Sequence, residues 1–162
     1  MRYLKLTLFL IIICLLPGCA LTKNPEYISL KTKPNTHFYT GEIYSKLSKD
    51  EAYTLKVFDM NVYKYFDVDT EVHSILLEFI ENLKEPSFNI EIDQALTPIY
   101  KLVIEFEDSK YIINAYNNKQ ISVYPWDGTF EEDTISMEGI PDYYNIYKFC
   151  EYITKISQGY EG

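Results

Sequence analysis

The residues of this chain that could do chemistry are few and scattered. It has three cysteines, Cys14, Cys19 and Cys150, and two histidines, His37 and His73. No serine stands in a Gly-x-Ser-x-Gly elbow, and no Cys-x-x-Cys, His-Glu-x-x-His or Gly-Lys-Ser/Thr loop occurs. His37 and His73 would need an acid from a third segment to make a zinc site. Asp127, Thr129, Glu131 and Asp133 alternate as calcium ligands do, but their glycine, Gly128, is second in the run. An EF-hand loop needs glycine at its sixth position for the sharp turn, so a solvated loop is the simpler reading. Asp67, Asp69 and Glu71 read as a helix start. With 24 acids some pair falls at glycosidase spacing, and nothing in the order of residues marks one pair. No catalytic residue, metal ligand or cofactor is therefore expected.

The better candidates are aromatic. Trp126, the one tryptophan, closes a long apolar-alternating stretch and precedes Asp127-Gly128. Tyr124 and Tyr116 fall on the same strand face if the intervening turn has three residues. Trp126, Tyr124 and Tyr116 could then form a platform that stacks on a sugar ring or a peptide. The competing reading packs Trp126 over the sheet end as core, where most large aromatics lie.

The elements that would hold these residues follow from periodicity. Between Glu71 and Lys84, Val72, Ile75, Leu76, Phe79, Ile80 and Leu83 recur at three- and four-residue steps, which predicts an amphipathic helix. Asp69 or Thr70 caps it and Pro86 ends it. A second helix is predicted from Asp142 to about Ile156, with Tyr143, Ile146, Phe149, Cys150 and Ile153 on its buried stripe. Strands are read at Lys56–Met60, Val62–Phe66, Lys101–Phe106, Tyr111–Tyr116, the stretch ending at Trp126, and Asp133–Met137, with a short one at Phe88–Ile92. His37–Tyr39 and Glu42–Tyr44 read as a short hairpin about Thr40-Gly41. A four-residue loop at 107–110 would pair Phe106 with Tyr111 and Ile104 with Ile113. At the next turn, a three-residue Asn117-Asn118-Lys119 loop sets Ala115 opposite Ile121 and Ile113 opposite Val123. A two-residue turn would instead move a whole apolar set into water. The expectation is an α+β domain, an antiparallel sheet of about four to five strands with two amphipathic helices packed on one face.

The N-terminus carries an address. Arg2 and Lys5 precede an apolar run from Leu6 to Leu16, shorter than the about 20 residues a spanning helix needs. The following Leu16-Pro17-Gly18-Cys19 resembles the lipobox of bacterial lipoproteins. That resemblance implies cleavage before Cys19 and a diacylglyceryl group on its sulfur. Two or more acyl chains, at about 0.8 kcal/mol per buried CH₂, hold a protein stably on a bilayer. The chain then divides into a signal peptide at 1–18, a tether at 19–36 and one domain at 37–162. Loss of Arg2 and Lys5 from a chain of formal net charge −9 leaves −11 and no arginine at all. No nucleic acid is expected as a partner, since no basic patch or guanidinium fork remains. Cys150 is left without a disulfide mate and reads as a buried thiol.

Tyr124–Gly128, Asp133–Met137, Ile140–Cys150 and Val57–Lys64 together resemble a family of small lipoproteins from low-GC Gram-positive bacteria, a domain of unknown function. The resemblance implies a lipid-anchored location on the extracytoplasmic face of the cell membrane, and it brings no activity. The expected role is non-catalytic binding or scaffolding at the envelope, with a cell-wall glycan or a protein as partner. A small envelope hydrolase, or a sensor of calcium or envelope stress, are the alternatives.

Overall fold

A computed structural model of the chain describes residues 32–157 and Gly159. The signal peptide at 1–18, Cys19 and most of the tether lie outside the described residues. Six strands form one sheet: β1 (Tyr53–Asp59), β2 (Lys64–Asp67), β3 (Tyr100–Phe106), β4 (Lys110–Ala115), β5 (Gln120–Pro125) and β6 (Asp133–Ser136). Their order is β2-β1-β3-β4-β5-β6 and every pairing is antiparallel. Three helices, α1 (Phe38–Leu47), α2 (Ser74–Asn82) and α3 (Ile146–Ser157), complete the domain. The α+β class and the antiparallel sheet are as expected; the sheet has six strands where about four to five are expected, and α1 is a third helix beside the two expected.

Alternation sorts the strands into two faces. Leu55, Val57, Phe66, Leu102, Ile104, Ile113, Ile121, Val123 and Ile135 point to one side and are buried there. They share a core with Tyr39, Ile43 and Leu47 of α1, Leu76 and Phe79 of α2, and Ile146, Phe149, Cys150 and Ile153 of α3. All three helices therefore pack on this face. Burial pushes the Cys150 thiol pKa up, which keeps it protonated and inert.

The pairing of β4 with β5 is the expected one, Ala115 opposite Ile121 and Ile113 opposite Val123. Asn117 fixes the turn by accepting from the backbone of Lys119 and Gln120 at 2.8 and 3.0 Å. The β3–β4 register differs from the expected one. Ile104 faces Tyr111 and Leu102 faces Ile113, and Phe106 N–H donates to the Ser109 carbonyl, so Glu107 and Asp108 alone make the turn. A slip of two residues keeps every side chain on its own face, so the hydrophobic pattern is satisfied by either register.

Three expectations need larger correction. The stretch read as a hairpin about Thr40-Gly41 is helix α1, whose buried Tyr39, Ile43 and Leu47 recur every four residues. Its first turn is held by Asp133 at the edge of the sheet: Oδ2 accepts from Thr40 N and Oγ1 at 2.7 and 2.8 Å. The last helix begins at Ile146, with Asn145 Oδ1 accepting from Lys148 N, so Tyr143 falls in a preceding 3-10 turn and is exposed. Phe88–Ile92 makes only one bridge, Phe88 to Ile135, and no strand.

Candidate functional site

The three aromatic candidates lie on the sheet face that the helices leave uncovered. Trp126 N–H donates to Lys110 O at 2.9 Å, which extends the β4–β5 pairing by one step and turns the indole to the same side as Tyr124 and Ser122. Trp126 is 72% exposed, so it does not cover the sheet end as core. Lys110 Nζ stands 5.6 Å from its ring centroid and 3.6 Å from Glu105, flanking the indole with charge while leaving most of it open.

Tyr124 is half-buried beside it, whereas Tyr116, also half-buried, lies level with Gln120 at the opposite end of the hairpin, so the three aromatics do not form one platform. Between them Asn114 and Ser122 are buried; Asn114 Nδ2 donates to Ser122 Oγ at 3.3 Å, and Tyr116 Oη is also 3.3 Å from that oxygen. Asn114 Oδ1, itself buried, finds no hydrogen-bond partner among the described residues. This face buries Val103 and Ile112 as well. Burial raises the Tyr124 phenol pKa, with the Asn114 amide acting in the other direction. The result is a shallow hollow of about 350 Å³ lined by Asn114, Tyr124, Trp126 and the loop that follows.

That loop is fixed from the other side of the sheet. Tyr39 Oη, reaching from α1, donates to Phe130 O at 3.1 Å and accepts from Phe130 N at 2.7 Å. Gly128 lets this happen: a Cβ there would stand 3.1 Å from both Tyr39 Oη and Pro125 Cγ. The indole therefore projects from a rigid corner rather than from a loose loop.

The other chemistry-bearing residues are dispersed. The His37 ring lies against Phe88 at 5.1 Å, and His73 stacks on Tyr53 at 5.0 Å. Among the described residues, no three His, Cys, Asp or Glu side chains converge as metal ligands. Asp133, last in the alternating acidic run, turns inward and is fully buried. Lys33 Nζ lies 2.7 Å from its Oδ1 and donates to Glu132 O at 3.1 Å, so this carboxylate is occupied in holding the fold. The sequence reading missed the Lys33–Asp133 pair, because a contact across 100 positions leaves no local trace.

Residues 33–150 match the model of a family described as a domain of unknown function, DUF4883. A crystal structure of a candidate lipoprotein from Clostridium perfringens superposes with a TM-score of 0.69 at 29% sequence identity, over 76% of this chain and 99% of that one. Among curated proteins none matches the chain.

Proposed function

The chain belongs to the DUF4883 family, and on that premise we propose that it is a lipid-anchored, extracytoplasmic binding module that uses no catalysis. The anchor is Cys19, in the lipobox-like Leu16-Pro17-Gly18-Cys19, and the similarity to a lipoprotein candidate of C. perfringens supports that part of the reading. Its Cys19→Ser variant should be released from membranes into the soluble fraction after export. Retention with envelope lipid would overturn the anchor.

The observation that carries the binding role is the exposure of Trp126 on a fixed corner. A bare indole is costly to leave in water, and one braced by Tyr39 and Gly128 is not exposed for want of order. Beside it stands Tyr124, and the pair of rings over a shallow hollow suits the apolar face of a sugar. A cell-wall glycan is therefore the favoured partner. Trp126→Ala should reduce co-sedimentation of the soluble domain with purified cell-wall sacculi at least about tenfold, the usual scale for a lost aromatic anchor. Equal sedimentation of variant and parent would sink this role.

A further inference from the structure

A second concavity lies on the helical side, about 470 Å³ in volume and separate from Trp126. One wall is the turn Thr70–Val72 with the start of α2; the other is the turn Asp142–Tyr144 with α3. Its floor is apolar, formed by the buried Ile75 and Phe149. Tyr143 and Tyr152, 78% and 55% exposed, line the same opening. Their rings are the kind of surface that attracts a cation through its negative face.

The charge around this groove is unbalanced. Glu71 and Glu78 line it, and among the described residues neither makes an ion pair, although Glu78 is half-buried. Its one lysine, Lys148, lies 3.7 Å from Asp142 and so is already matched. A half-buried carboxylate without a counter-ion favours whatever brings a positive charge to it. An anion would be repelled, and a neutral ligand would leave Glu78 uncompensated. The volume suits a small molecule or one side chain and is too short for a docking helix.

We propose that this groove binds a small aliphatic ammonium ion. Its methylene chain would lie over Ile75 and Phe149, and its charged end would sit between Glu78 and the tyrosine rings. This goes beyond the glycan-binding role and does not depend on it.

The test uses the soluble domain titrated with 1,5-diaminopentane, followed by calorimetry and by chemical shifts of the groove residues. Saturable binding is expected, with pentan-1-ol and pentanoate at least about tenfold weaker. Glu78→Gln should weaken the diamine about five- to tenfold and flatten its salt dependence. Tyr152→Leu should weaken it about two- to fivefold, whereas Trp126→Ala should leave it unchanged. No saturable shift at groove residues up to about 10 mM diamine would overturn the proposal, as would equal affinity for pentan-1-ol. Tighter binding of the tripeptide Gly-Lys-Gly than of the diamine would also overturn it, by making the occupant a peptide side chain.

Discussion

The two faces of the sheet are drawn from the same strands and follow opposite rules. On the helix-covered face, strand residues from Leu55 to Ile135 interlock with α1, α2 and α3, and Asp133, fully buried there, accepts from Thr40 and pairs with Lys33. On the other face Val103, Ile112, Asn114 and Ser122 are buried, while Trp126 and Tyr65 stand in water. The first face holds the molecule together, and its residues can change little without loss. The second, which no helix covers, leaves side chains such as Trp126 free to specialise, and recognition falls there and in the groove between the helices.

The sharpest way to break this division is to open the covered face. Phe79, fully buried in α2, should cost about 3–5 kcal/mol when replaced by alanine, read from the urea unfolding midpoint. A loss below about 1 kcal/mol would mean that α2 is not part of one core. Next comes Asp133→Asn. The amide can still accept from Thr40 but loses its charge opposite Lys33 and the α1 N-terminus, for an expected cost of about 2 kcal/mol.

Alkali probes the same face more gently. Tyr111 is buried and donates to Glu42 at 3.1 Å; burial first, then the negative charge of Glu42, pushes its phenol up to about 12. In the unfolded chain that group ionises near 10. A pKa raised in the folded state means stability that is whole below pH 10 and drains as pH rises toward 12. Tyr111→Phe should remove about 2 kcal/mol of that fall, seen by comparing urea midpoints at pH 9 and pH 11.5. The smallest effect belongs to the open face: Trp126→Ala should shift stability by less than about 0.5 kcal/mol while weakening sacculus binding at least about tenfold. A large loss of stability there would make the indole a structural group.

What could be read from the residues alone follows from how far each structural cause lies along the chain. The β4–β5 register is written locally, because a three-residue loop sets Ala115 and Ile113 opposite apolar partners where a two-residue turn does not. The β3–β4 turn is not, since registers two residues apart bury the same set and Glu107-Asp108 carries no turn signature. Helix α1 escaped detection because the carboxylate that supports its first turn lies 93 positions downstream. Periodicity places Trp126 on a face but is silent on whether anything covers it. The ammonium groove is also absent from any local pattern, since its walls are about 70 residues apart in sequence.

The clasp between Lys33 and Asp133 decides where a pull on the protein would be felt. Among the described residues, tension travelling along the backbone from the N-terminal side meets its first firm hold at Lys33, which passes the load to β6 and the opening turn of α1. The molecule would hang from that corner like a sign from one bracket. The hairpin tip at Asn61, at the far edge of the sheet, would carry none of the strain.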